Sequence, residues 1–226
     1  MKKNLLFLVI AAVGMVGCRS YSFMETTPSV DLAKKLPAME LSLDEPSFAT
    51  VTGYETTTST SNTYVDYLPL TGSTYGRTKT SSVSYESTDL HNVKSLFYTN
   101  MYDNILSKIG EKKGKVVCRL VTGDSRDNFG FTILSAFTLC IPNLFGMPFA
   151  SNTSDMLVEM DFMDMNNNVV ATYKSKAHKV KKYYALYWGY RDAEGVAIAE
   201  TFKKCLEDIN KQIKGDYDNL NAIYSK

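Results

Sequence analysis

From Met156 to Asp164 the chain alternates between two kinds of side chain. Met156, Val158, Met160 and Phe162 fall on one side, Glu159 and Asp161 on the other. A period of two buries one face of an extended strand and wets the other. Asn166-Asn167-Asn168 follows, and Asn tolerates the positive φ that a tight turn demands. Val169 to Val180 then returns as the second strand of an antiparallel hairpin, and a further extended piece runs from Tyr183 to Tyr190. Behind it, Asp192 can cap a helix whose Val196, Ala199, Phe202, Leu206, Ile209 and Ile213 recur at helical spacing up to Gly215. A one-faced hairpin and a one-striped helix bury their apolar surfaces most directly against each other. The chain is thereby steered toward layers of helix on sheet.

The remaining segments extend that scheme. Leu36 to Leu43 reads as a strand with Met39, Leu41 and Leu43 on one face. A helix starts at Asp89, with Val93, Leu96, Phe97, Met101, Ile105, Leu106 and Ile109 inward and Gly110 as its stop. Lys115 to Val121 alternates as another strand, and a short polar tail follows Gly215. Residues 50–88 are rich in Ser and Thr, interleaved with Tyr54, Tyr64, Tyr67, Tyr75 and Tyr85, and have few aliphatics to bury. They read as an exposed hairpin turning near Gly72, or as a loop insertion. The expected fold class is α+β: a mainly antiparallel sheet with two long amphipathic helices on one face, plus that Ser/Thr/Tyr-rich insertion.

The run Leu157 to Asp164, the Asn turn, Val169 to Tyr173 and the Ala-containing helix after them resemble half of a small periplasmic lipoprotein. The curli-secretion lipoprotein and lipoproteins related to outer-membrane assembly and transport components share this pattern. The resemblance covers the last third of the chain and implies a non-catalytic role at the cell envelope.

The N-terminus points to the same compartment. Lys2 and Lys3 precede an apolar stretch, Leu5 to Val16, too short for a comfortable membrane span. It ends in Met15-Val16-Gly17-Cys18, which resembles the lipobox of bacterial lipoproteins, with Met15 where leucine is usual. The expected organisation is a signal peptide over 1–17, a lipidated (palmitate-bearing) tether over 18–35 and a single domain over 36–226. Cys18 is the expected lipidation site. The implied location is the outer membrane, at its periplasmic face. The membrane, through the N-terminal lipid, and an envelope protein are the expected partners. Net charge of +1 offers no basic footprint for nucleic acid.

Phe129 to Ala150 contains no charged residue. Its length would allow a membrane span, but Pro142, Asn143, Gly146 and Pro148 would break a lipid-facing helix. The expectation is burial inside the domain, so that Phe137→Asp would unfold it; a membrane-dipping element and a true span are the alternatives.

Few constellations promise chemistry. Gly123-Asp124-Ser125 follows a strand, as a serine hydrolase's nucleophile can, yet no carboxylate in the local sequence stands by His178 to hold it as a base. Asp164 to Asn168 has oxygen ligands at alternate positions, but Val169 stands where a calcium loop needs Gly. Two distant histidines, His91 and His178, and cysteines in apolar patterns leave no zinc site. No metal and no cofactor is expected. Cys118, Cys140 and Cys205 read as buried free thiols, with a Cys118–Cys205 disulfide as the alternative. Lys174, Lys176, Lys179, Lys181 and Lys182 read either as an edge strand guarded against pairing or as a phosphate-attracting surface. Tyr184, Tyr187 and Trp188 read either as core or as a stacking platform.

The expected function is thus a non-enzymatic envelope lipoprotein, a binding or assembly subunit. One rival is a pore or secretion component that inserts residues 50–88 or 129–150 into the membrane. The other is a hydrolase built on Ser125.

Overall fold

The computed structural model describes residues 34–52, 88–186, 189–190 and 192–225, with Pro28 and Leu32. Cys18, Tyr187, Trp188 and most of the 50–88 insertion lie outside the described residues.

Four strands form one sheet in chain order: β1 (Glu40–Leu43), β2 (Lys115–Asn128), β3 (Ala150–Met163) and β4 (Val169–Tyr184). The hairpin is as its alternation predicts. Asp164 closes the turn by accepting from the backbone N–H of Asn166 and Asn168, at 2.8 and 2.9 Å, and Asn167 takes a φ of 63°. These bonds, led by the side-chain amide of Asn168, hold the Asp164 carboxyl below its usual range. The turn therefore consumes the oxygens that a calcium loop would offer.

The sheet is mixed rather than wholly antiparallel. β2, β3 and β4 pair antiparallel, but β1 lies parallel to β2, with Glu40 opposite Lys115. Six helices accompany it among the described residues: α1 (Glu45–Thr52), α2 (Thr88–Asn100), α3 (Gly130–Phe137), α4 (Ile141–Leu144), α5 (Ala193–Gly215) and α6 (Tyr217–Tyr224). Of the two long helices expected, only α5, at 23 residues, is long, since α2 stops after 13. It lies on β3 and β4, while α2 packs beside it and reaches β1, and α1 covers β2.

Side-chain burial follows the apolar stripes. Val196, Ala199, Phe202, Leu206, Ile209 and Ile213 are all buried, and Asp192 caps α5 by accepting from the Gly195 N–H at 2.9 Å. Phe202 meets Phe48 of α1 edge to face, with centroids 5.7 Å apart.

Three expectations need correction. The helix begun at Asp89 does not continue to Ile109, which is 87% exposed. It passes into a π turn, Met101–Ile105, after which the backbone of Leu36 bonds both Ile105 and Ser107 and pulls the chain into an extended bridge. The tail beyond Gly215 is not merely polar, because α6 places Leu220 and Tyr224 in the core. The thiols are free, and Cys118 and Cys205 are buried as expected, but Cys140 is exposed. Burial pushes the Cys118 thiol far above its ordinary value and Cys205 up to about 11, so neither is a nucleophile at neutral pH.

Candidate functional site

Strands β2 and β3 outrun the helical layer and carry Phe129 to Ala150 beyond the sheet. The expectation that this segment is buried is wrong. It folds into α3 and α4, two short helices that turn their large apolar side chains outward. Phe137, Leu139 and Phe145 are 83%, 82% and 86% exposed, and Ile133, Ile141 and Leu144 are more than half exposed. Two polar side chains point inward instead: Ser135 and Asn143 are buried at 2% and 1%, while Thr132 stays exposed. The Ser135 hydroxyl donates to the Phe131 carbonyl at 2.7 Å, and Thr138 donates to Leu134 at 2.8 Å. The Thr132 hydroxyl donates to the Phe149 carbonyl at 2.7 Å, and the Asn143 amide donates to Met147 at 3.1 Å. Asn143 Oδ1 is left buried without a partner.

Between α3 and α4 the chain passes through two left-handed residues, Leu139 (φ 53°) and Cys140 (φ 60°). Without glycine, that conformation costs about 1–2 kcal/mol per residue. The base of the tip is aromatic. Phe149 stands 5.6 Å from Tyr184, which is 41% exposed, and Phe131 stands 6.3 Å from Tyr183. Just below, the Lys181 ammonium sits over Tyr183 and Phe131, and Lys182 over Tyr190.

The other sequence candidates are placed less tellingly. Lys174 is committed to a structural cluster: its Nζ lies 2.5 Å from Glu159, which also pairs with Arg119, while Arg119 reaches Asp161 at 3.3 Å. The Lys174 contact, with Arg119 behind it, holds the Glu159 carboxyl below its usual range. The cluster ties β2, β3 and β4 together across the face opposite α5. Lys176 is exposed on that same face. With Thr122, Asp124, Asp155 and His178 it lines a shallow cavity of about 240 Å³, where two carboxylates offset the Lys176 ammonium. Among the described residues, no group of three or more metal-ligating side chains converges.

Ser125 has no base. Its hydroxyl bonds Asn152 and Glu194, on the side where α5 begins, at 3.2 and 3.5 Å. His178 instead approaches Asp155, at 3.6 Å. Asp155 pairs with Asp124, the residue before Ser125, and successive strand residues face opposite ways. The serine and the histidine therefore occupy opposite faces of the sheet, and a Ser125–His178 dyad is excluded.

Sequence reasoning missed a convergence of carboxylates where α2 and α5 begin. A methyl group on Gly195 would lie 2.4 Å from Asp89 and 2.3 Å from Asp192, so only glycine fits there. Burial, followed by the charges of Asp192 and Glu194, pushes the Asp89 carboxyl up to about 6. A raised carboxyl pKa favours folding below the unfolded value near 3.8, and that contribution is lost as pH rises through about 6. Asp89→Asn should accordingly raise the melting temperature at pH 7.5 and flatten its dependence between pH 4 and 7 (about the window set by the two values). A steeper pH dependence in the variant would refute the assignment.

The class that the fold defines is an α+β domain with helices on one face of a four-stranded mixed sheet, extended by an apolar tip. No protein-family model matches the chain, and a search of curated proteins finds no match. Solved structures with a similar outline include a Xanthomonas campestris protein of the DUF330 family, 10% identical, with 85% of this chain and 94% of that one covered and a TM-score of 0.39. Others are a Caulobacter crescentus protein (11% identical, 62% and 88% covered, TM-score 0.33) and a minor lipoprotein from Acinetobacter baumannii (14% identical, 59% and 84% covered, TM-score 0.24). At scores this low nothing about this chain's chemistry or partners follows from them.

Proposed function

We propose that this protein is a non-enzymatic lipoprotein of the cell envelope, a binding or assembly subunit held by acyl chains on Cys18. The outer membrane, at its periplasmic face, is the proposed location. The observation that carries the reading is the outward-turned, charge-free tip. A soluble monomer rarely displays a large contiguous apolar patch unless something binds there. The basic, apolar and small-residue order ending at Cys18 supplies the attachment. The tip also favours a second reading, a secretion component whose residues 129–150 enter the membrane, over insertion of residues 50–88.

Lipid attachment is tested directly. Acylation needs the Cys18 thiol, so an alkyne fatty acid should label the wild type and leave Cys18→Ser unlabelled. The variant should also be released from washed membranes more readily, since the several chains of a mature lipoprotein hold far better than one. Equal labelling of both proteins would refute the lipid anchor.

A further inference from the structure

We infer that the α3–α4 tip is a shallow bilayer wedge, seated among the headgroups and upper acyl chains of one leaflet. The inference rests on the membrane-protein reading above and names what the tip binds.

Three observations select lipid over a protein partner. The first is polarity turned inside out. Phe137, Leu139 and Phe145 face outward while Ser135 and Asn143 are buried beneath them. A protein interface pairs directional polar groups across the contact, about one hydrogen bond per 100–200 Å². Here the hydroxyls of Thr132, Ser135 and Thr138 are spent on carbonyls of residues 131–149. The second is backbone self-sufficiency. The N–H groups of Ile133, Thr138, Cys140, Asn143, Phe145 and Met147 all bond carbonyls within the tip. A solvent without donors or acceptors demands this arrangement. The third is the collar. Tyr183 and Tyr184 ring the base, and Lys181 and Lys182 lie one step further from the apolar end. Apolar, then aromatic, then cationic is the order a bilayer presents from chains to phosphates.

Length sets the depth. The eight residues of α3 rise about 12 Å, against a hydrocarbon core of about 30 Å. No described helix is long and apolar enough to cross a membrane. The tip therefore dips and does not span.

The chain carries its own probe position. Cys140 is exposed at the tip, Cys118 and Cys205 are buried, and an acylated Cys18 is blocked. A nitrobenzoxadiazole maleimide should thus mark Cys140 alone in the full-length lipidated protein. In vesicles of phosphatidylethanolamine and phosphatidylglycerol, its emission should shift to the blue. Nitroxides near the headgroup should quench it more than nitroxides near the chain end. Phe137→Asp with Phe145→Asp should abolish the shift and leave the melting temperature unchanged, because both side chains are already displayed to water. Lys181→Gln with Lys182→Gln should weaken the response to phosphatidylglycerol. Cys18→Ser, added to the same vesicles, should retain the blue shift, so failed acylation and a failed wedge register in different measurements. Emission typical of water on vesicles, with a shift only when membrane proteins are present, would make the tip a protein-docking site and overturn the inference. Stronger quenching near the chain end would overturn the shallow depth.

Discussion

Leu206→Ala should destabilise the domain by roughly 2–5 kcal/mol, read as a loss in the denaturation midpoint. Leu206 is fully buried on α5, in the same cluster as Val158, Met160 and Phe202. Removing its branched end deletes buried methyl groups and leaves a cavity between a long helix and a sheet. The neighbouring core side chains hold helix and sheet apart, so the void should collapse only in part. Lys204, exposed on the other side of the same helix, is the control. Lys204→Ala should change stability by no more than about 0.5 kcal/mol. Similar midpoints for the two variants would mean that the face of α5 is misassigned.

Asn210→Ala should cost roughly 2–4 kcal/mol, although it removes only a small polar group. Asn210 and Asn100 are both fully buried, and their amides bond each other reciprocally at 2.8 and 3.1 Å, joining α5 to the end of α2. Truncating one side leaves the other amide's donor dry and unpaired, and that desolvation is most of the cost. Asn100→Leu with Asn210→Leu should recover much of the loss, because no stranded partner remains in the pair. Asn104, which also donates to Asn100, keeps a second acceptor in the Pro28 carbonyl. A double variant less stable than Asn210→Ala would show that shape rather than hydrogen bonding governs the contact.

The parts of the fold that could be read in advance are those whose period is imposed by a single buried face. The hairpin from Met156 and the stripe on α5 are such cases, and both stand as their spacing predicts. The parallel pairing of β1 was not legible, since four residues meet a partner more than seventy positions away and no local signal encodes that register. The early end of α2 was hidden for a similar reason. Apolar spacing runs on to Ile109, but the backbone of Leu36, far upstream, captures the chain at Ile105. The tip failed for a different cause. A charge-free run is equally hydrophobic under protein or under lipid, so composition registers the need to leave water and not the surface that provides for it. The position of Ser135 and Asn143 beneath their apolar neighbours decides between these, and it emerges only once α3 and α4 are folded. Of the proposed contact residues, Lys174 proved to be engaged within the sheet, while Tyr184 sits at the base of the tip.

The direction in which β2 runs has a bearing on posture. Its first residue lies at the end of the sheet where Leu36 enters, and its last opens into the tip. Pro28 is already fixed at the entry end, where its carbonyl accepts from Asn104. Residues 19–27 can stretch to no more than about 30 Å, whereas the 14 residues of β2 extend about 45 Å. The proposed acyl chains on Cys18 would therefore draw the entry end of the sheet toward the membrane that holds the tip. For both to grip one bilayer, the strands would tilt away from the membrane normal, with the tip still deepest and the lysines of β4 nearer the phosphates. Held at a single end, the domain would swivel on its leash. Held at both, it would keep one flank toward the membrane and offer the other, in fixed orientation, to whatever approaches from the aqueous side.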